Sequence, residues 1–412
     1  MRIATAFAYD QTIFNLQQRQ QALAESQVQL TSGKRVNKAS DDPTSAARAE
    51  RALAAAARNE ANQRSLDASR NVMTITESAL GDAVELIQSA RETLVAAGNG
   101  SYTDGERRAL AVKLREIRNQ MMSIVNRADG GGGYVFGGQG ASSPPFVDTP
   151  TGVTFRGQGG EILASSSERL ALTVDGEQTW LMARTGNGVF TTGPDGNLGG
   201  GGNQGTAWIG SGSITDPATL PYPAATPPGP SYTIEFTDTG SGITYDVLED
   251  GNPIASGEPY ADGKTIDIPG RGMSVTISGV PANGDTFRIG ESESSLSIFD
   301  SLDRTIAALS SQNATGGVVK QAVNTGMTEI DSVLSNVQSA RSAVGESLNR
   351  MEGIESRIGA LKLAAETERS NAEDLDMVEA ISRFQNQQTG YQAALQSYAA
   401  VQKLSLFQYL NV

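Results

Sequence analysis

The sequence predicts an α+β multidomain protein in which N- and C-terminal helices form an antiparallel α-helical coiled-coil bundle with an inserted all-β domain. Three observations carry that expectation. Backbone-breaking residues crowd the middle of the 412-residue chain: no Gly precedes Gly33, no Pro precedes Pro43 and no Pro follows Pro281. On either side, apolar residues recur at alternating steps of three and four, which keeps them on one seam of a helix. Between about residues 130 and 292 the period changes to two, as half-buried strands require.

The first seam runs Leu16, Gln20, Leu23, Gln27, Leu30, and the next Met73, Thr76, Leu80, Ala83, Ile87, Ala90, Leu94. Gly98, Asn99 and Gly100 end that helix with residues that tolerate a left-handed cap. Thr103 and Glu106 have capping-box spacing, so a further helix starts there, with Leu110, Leu114, Ile117, Met121 and Ile124 as its seam. In the middle, Tyr232, Ile234 and Phe236 alternate, as do Ile243, Tyr245 and Val247, then Ile266 and Ile268, then Met273, Val275 and Ile277, then Phe287 and Ile289. Asp-Gly pairs beginning at 175, 195, 250 and 262 supply turns, which predicts a sandwich or small barrel. Residues 193–205 and 216–230 read as exposed loops without structure.

Beyond the insert, Phe299, Leu302, Ile306 and Leu309 predict a short helix, broken by Gly316 and Gly317. A long helix follows, with Val323, Met327, Ile330, Leu334, Val337, Val344, Leu348, Met351 and Ile358 on its seam. The last seam is Ile381, Phe384, Gln388, Tyr391, Leu395, Tyr398. The resulting division is an N-terminal assembly helix (1–42), two halves of a helical domain (43–140 and 293–370), an inserted β domain (141–292) and a C-terminal assembly helix (371–412). The inner seams read as core. Gln20, Gln27 and Gln388 stand where an apolar side chain would stabilise more, so the outer helices are expected to be marginal alone and ordered by partner subunits.

Composition restricts the function. The net charge is −14, and residues 150–292 hold sixteen acidic and six basic side chains, so −10 of it lies on the β region. A nucleic-acid binder needs the opposite footprint. No apolar run approaches a membrane span, and residues 1–10 lack the apolar core of a cleaved signal peptide. The chain has no Cys and no His, which removes thiol chemistry, His-based triads and His-ligated zinc. Carboxylate pairs remain, but those such as Asp250 sit in turns where a turn role suffices. Residues 257–265 end like a phosphate loop, yet Glu258 stands where its first glycine is required. The glycine run at 130–133 follows a helix, so it reads as a hinge and not as a dinucleotide fingerprint. No catalytic residue, cofactor or metal is expected.

The stretch SGKRVNKASDDP at 32–43 resembles the segment after the first terminal helix in the bacterial flagellin family. Gly133, Tyr134, Val135, Phe136, Gly137 and Gly138 are similar to that family's exit from its helical domain, and the ending from Phe384 through Tyr391 to Leu410 is similar to its C-terminus. Flagellins usually carry Ala after the two aspartates and a Pro in their final turns. Pro43 and the Pro-free ending here resemble the hook-associated branch instead.

The resemblance implies a secreted structural protein, not an enzyme, in a ring between hook and filament that templates flagellin assembly. It implies export unfolded through the flagellar type III channel, with an export chaperone holding the C-terminal helix. The implied partners are further copies of the chain, the first hook-associated protein and flagellin, with the terminal helices lining the inner tube and the β region outward. Intersubunit packing is then expected from Leu16, Leu23 and Leu30 on the first helix and Ile381, Phe384, Tyr391, Leu395 and Tyr398 on the last. Pairing of the same residues within one chain stays open. So do two other readings: a flagellin-type filament subunit, and a secreted enzyme or adhesin acting through the β region.

Overall fold

The structure is a computed structural model describing residues 2–138, 141–158, 161–163, 169–171, 174–226, 228–312 and 315–410, with side chains for all of these except 2–9, 161–163, 169–171 and 401–410. The helices among these residues are α1 (Arg2–Ser32), α2 (Pro43–Ala97), α3 (Asp104–Val125), α4 (Gly176–Leu181), α5 (Ile298–Ser310), α6 (Gly316–Glu373) and α7 (Met377–Leu410). The strands are β1 (Phe146–Thr149), β2 (Gly152–Phe155), β3 (Glu161–Leu163), β4 (Arg169–Ala171), β5 (Ala183–Arg184), β6 (Phe190–Asn197), β7 (Trp208–Ile209), β8 (Ser213–Ile214), β9 (Tyr232–Asp238), β10 (Ile243–Glu249), β11 (Asn252–Pro259), β12 (Thr265–Ile268), β13 (Met273–Ser278), β14 (Asp285–Glu291) and β15 (Ser294–Leu296). The fold is α+β, as expected. Two compact units divide it, Met1–Ser65 with Gly353–Val412 and Leu66–Glu352, so α2 and α6 contribute to both.

In the larger unit the inner seams are core. Met73, Thr76, Leu80, Ala83, Ile87, Ala90 and Leu94 of α2 are buried, as are Leu114, Ile117, Met121 and Ile124 of α3 and Phe299, Leu302, Ile306 and Leu309 of α5. α3 starts on the expected capping box: Glu106 N donates to Thr103 Oγ1, and Thr103 N donates to Glu106 Oε2 at 2.8 Å. Two details differ from the sequence reading. Gly98 does not adopt a left-handed cap, and a Cβ there would make ordinary contact with Val323 Cγ1 of α6 at 3.4 Å. Gly316 and Gly317 open α6 instead of forming a separate break.

Phe136, the β1–β2 hairpin and α4 also belong with these helices. Phe136 and Trp180 are fully buried and meet edge to face at 5.2 Å. The β1–β2 hairpin is tied to α3 and α5 through Arg118, whose guanidinium donates to Asp148 at 2.8 and 3.0 Å, lies 2.7 Å from Asp303 and sits over the Phe299 ring. Asn126 exchanges two hydrogen bonds with the Phe146 backbone.

The strands read from alternation form an antiparallel sandwich. One sheet has the order β11-β10-β9-β14-β6; the other has the order β12-β13-β7, with β8 also on β13. Their inward residues, among them Tyr232, Ile234, Phe236, Val247, Ile266, Met273, Val275, Phe287 and Ile289, make one buried cluster. Burying each such side chain is worth about 1.5–3 kcal/mol.

The two segments expected to be structureless are ordered by carboxylates. Residues 190–197 are β6. The chain after it is pinned by Asp285, a fully buried residue that accepts from Gln204 N at 2.7 Å, Ala282 N at 2.8 Å, Asn197 Nδ2 at 2.9 Å and Gly205 N at 2.9 Å. Glu291 accepts from Ala224 N at 2.9 Å and Gly229 N at 3.0 Å, which holds the second segment.

Burial pushes the Asp285 carboxyl up, but the Asn197 amide and the three backbone N–H groups together hold it below its ordinary value. The depressed folded value means that this carboxylate contributes stability above about pH 4, the ordinary unfolded value, and loses it as pH falls through the folded one. Asp285→Ala is therefore expected to destabilise the sandwich by about 3 kcal/mol or more at neutral pH, since it orphans several buried donors. It should also flatten the acid limb of the stability curve. Denaturation followed at pH 3–7 reads both effects.

Candidate functional site

The smaller unit carries the residues that the sequence singles out for assembly. Its first feature is a clasp built from the SGKRVNKASDDP stretch. α1 stops at Gly33, which holds φ +70° with open space around its Cα, so backbone freedom and not room requires glycine. Leu375 N donates to Gly33 O at 3.0 Å, Arg35 N to Glu373 O at 2.7 Å, and Arg35 Nη2 to Ala372 O at 2.8 Å. Lys34 pairs with Glu373 at 3.1 Å. Asp41 Oδ2 accepts from Asn37 N and Lys38 N, closing the turn. Asp42 Oδ1 then caps α2 through Thr44 N and Ser45 N, with Pro43 at the first helical position. The Ser45 hydroxyl and N–H, followed by Arg35, lower the Asp42 carboxyl to about 2. Asp376 caps α7 in the same way through Val378 N and Glu379 N. The stretch thus turns the chain and locks α1 beside α7, with its glycine, its cations and its aspartates each supplying a separate part of the clasp.

α1 and α7 pack against each other and run antiparallel, since Gly33 lies by Leu375 while Ser26 lies by Gln387. Leu16, Leu23 and Leu30 are half-buried on α1, and Phe384, Tyr391 and Tyr398 are half-buried on α7. The remaining seam positions differ from the sequence reading. On α7 the seam passes through Ala380, Gln387 and Ala394, and Ile381, Gln388 and Leu395 lie one residue outside it and are exposed. Ile381 and Leu395 are 45% and 42% exposed. On α1 both Gln20 and Gln27 are exposed, and the buried polar residue is Ser26, whose Oγ donates to Gln387 Oε1 at 2.6 Å. Arg19 lies against Gly390: a Cβ there would stand 2.8 Å from Arg19 Nη1. Gly inside a helix costs roughly 1 kcal/mol relative to Ala, and here it makes room for a guanidinium.

The pairing leaves large apolar side chains in solvent. Phe14 and Val28 of α1 are each 55% exposed. Each precedes a seam leucine by two residues, about 200° around a helix of 3.6 residues per turn, so both occupy the side away from α7. With Ile381 and Leu395, they give both helices apolar surface that their mutual contact does not cover. On the inner helices of this unit Ala49 and Ala52 of α2 and Ile354, Ile358 and Ala365 of α6 are buried. Among the described residues no helix is long and apolar enough to cross a membrane.

The terminal regions match described protein families. The bacterial flagellin N-terminal helical region matches residues 3–141, and the bacterial flagellin C-terminal helical region matches residues 327–410. Flagellar hook-associated protein 3 of Salmonella typhimurium is 25% identical over 412 residues, covering 99% of this chain and 99% of that protein. Among solved structures, Xanthomonas campestris FlgL is 26% identical with a TM-score of 0.68, covering 78% of this chain and 99% of the solved one. The flagellar junction protein FlgL from Legionella pneumophila is 25% identical with a TM-score of 0.66, covering 79% of this chain and 100% of the solved one. With both helical regions matched over more than half its length, and with relatives of this kind aligned end to end, the chain belongs to the bacterial flagellin family.

Proposed function

We propose that this chain is a structural subunit of the bacterial flagellum, forming the ring between hook and filament and offering flagellin a surface on which to assemble. The observation that carries the reading is the apolar surface left on both terminal helices, in a chain that aligns end to end with hook-associated protein 3. Identical copies that meet through heterologous contacts close into rings or continue as tubes, and uncovered apolar surface on paired helices suits such contacts. The implied neighbours are further copies, the first hook-associated protein below and flagellin above. A chaperone would hold α7 before secretion, and the sandwich would face outward. Catalysis has no part in this reading.

Labelling the chain on isolated flagella tests it. A single narrow band at the base of each filament is expected. Continuous labelling along the filament would make the chain a filament subunit instead, and labelling away from flagella would overturn the structural reading.

A further inference from the structure

The seam between α1 and α7 carries two features that hydrophobic packing does not need. Ser26 is 7% exposed and commits its hydroxyl to Gln387 Oε1 at 2.6 Å, and Arg19 occupies the space that a side chain at Gly390 would fill. Polar residues at seam positions commonly specify register at a cost in stability. Here each slip of one heptad meets an obstacle. With α7 shifted by seven residues in either direction, Ala380 or Ala394 replaces Gln387 opposite Ser26, and neither side chain can accept its hydroxyl. Arg383 or Ser397 likewise replaces Gly390 beside Arg19, bringing either a like charge or a Cβ into the notch. Of the two features the Ser26–Gln387 bond is the stronger constraint, because the end of a flexible arginine can move aside.

The register so fixed also sets where the exposed apolar residues stand. Taking Arg19 as level with Gly390, which agrees within one residue with Gly33 beside Leu375 and leaves the Ser26–Gln387 bond diagonal across the seam, five residues outward puts Phe14 level with Leu395, and nine residues in the other direction puts Val28 level with Ile381. Beyond Met377 and Val378 at the start of α7, the other four large apolar residues exposed on these helices therefore stand as two rungs, separated by fourteen residues on each helix, or about 21 Å at 1.5 Å per residue. A one-heptad slip would displace the α7 half of each rung by about 10 Å.

The geometry points to Ser26 and Gln387, seconded by Arg19 and Gly390, as specificity-determining residues that keep the α1–α7 register along the helices beyond the clasp at 32–43 and so align the apolar rungs Phe14/Leu395 and Val28/Ile381 for a neighbouring copy of the chain. The second half of that statement rests on the assembly reading, whereas the first stands on the contacts alone.

The chain lacks Cys, so an introduced pair is the only disulfide it can form. In the full-length protein, Leu30→Cys with Ala380→Cys reports the native register. Leu23→Cys with Ala380→Cys, and Leu23→Cys with Ala394→Cys, report slips of one heptad in opposite directions. A pair displaced by about 10 Å cannot close a disulfide without helix movement. With the keys intact, only the native pair should cross-link rapidly. With Ser26→Leu, Gln387→Leu and Arg19→Leu together, the slipped pairs are expected to gain about ten-fold in cross-linking rate while the native pair still forms.

A key-replaced chain that cross-links only in the native register would overturn the proposal, as would loss of cross-linking at every pair, which would make the keys necessary for pairing itself. The key-replaced chain is also tested for retention in flagella. Slipped registers with normal retention would leave the register role standing and count against the assembly reading; slipped registers with lost retention support both.

Discussion

Leu395→Asp should leave the folded, secreted chain intact and abolish its stable attachment to flagella. Leu395 is 42% exposed and lies outside the α1–α7 seam, so a carboxylate there is solvated in the free chain. If the same position is covered by a neighbouring subunit, the carboxylate becomes a buried unpaired charge, which costs several kcal/mol. A loss of about 3 kcal/mol per contact weakens association more than a hundred-fold, and a ring repeats that loss at every subunit. Phe384→Asp provides the contrast, because Phe384 is half-buried between the two helices of one chain. That change should weaken the helix pair itself, lowering helicity and raising protease sensitivity of the free protein, and lose attachment as a consequence. Circular dichroism of the purified variants separates the two, and filament retention under shear reads the outcome. Normal retention with Leu395→Asp would show that this face is not an interface.

The difference between these two positions was only half legible in the sequence. Two frames one residue apart fit α7. The frame through Ile381, Gln388 and Leu395 contains the more apolar residues; the frame through Ala380, Gln387 and Ala394 is the one that faces α1. Hydrophobicity favours the first because it assumes that the most apolar stripe is buried within the chain. Here large apolar side chains stay in solvent, so that assumption fails at Ile381 and Leu395 and holds at Phe384, Tyr391 and Tyr398, which the frames share. The same shift on α1 replaced Gln20 and Gln27 by Arg19 and Ser26. In the larger unit, where the core is complete within the chain, the seam from Met73 to Leu94 was readable residue by residue.

Among the strands, legibility followed position in the sheet. Those with alternating apolar residues are the inner strands β9, β10, β13 and β14, together with the short β12. The missed β6 and β11 are both edge strands of the five-stranded sheet, and both carry Pro and Gly. Pro194, Pro253 and Pro259 are tolerated because an edge does not require every N–H to be paired, and such residues also discourage edge-to-edge association. A segment such as β6, Phe190–Asn197, therefore reads as a turn in sequence while β14 holds it as a strand. β5, β7 and β8 have two residues each, too few for any period to show. The clasp at 32–43 was visible as a motif, but its physical purpose emerged only once Glu373 and Leu375 lay opposite it, far away in sequence.

Replacing residues 187–291 by two glycines should yield a folded helical body that still assembles, whereas removing 150–292 should not. Among the described residues the buried core of the sandwich runs from Phe190 to Ile289, with Val189 packed against it, so it is shorter than the 141–292 insert read from the sequence. The chain enters and leaves it through one neck: Thr185 N donates to Glu293 O at 2.9 Å, Glu293 N donates to Thr185 Oγ1 at 2.9 Å, and β5 pairs with β15 just below. A two-residue bridge between Gly186 and Ser292 therefore spans almost no distance. On α6 the narrower excision breaks the hydrogen bonds that Gln321 and Asn324 make with the Ile209 backbone. Water replaces these once the side chains are exposed, so the net cost to the helical body is about 1–3 kcal/mol.

The wider excision also removes α4 with its fully buried Trp180, as well as β5 and the Phe155 ring that packs on Phe146. Loss of a buried Trp side chain alone costs about 3–5 kcal/mol, and the remaining losses fall in the same core. The narrower excision leaves Trp180 as the only tryptophan, since Trp208 leaves with the sandwich. Its fluorescence should stay blue-shifted and melt cooperatively in the shortened chain, and cells expressing that chain should keep their filaments. An unfolded helical body after the narrower excision would show that the sandwich is needed for the helices to fold. A folded body without filaments would assign the sandwich a part in the assembly itself.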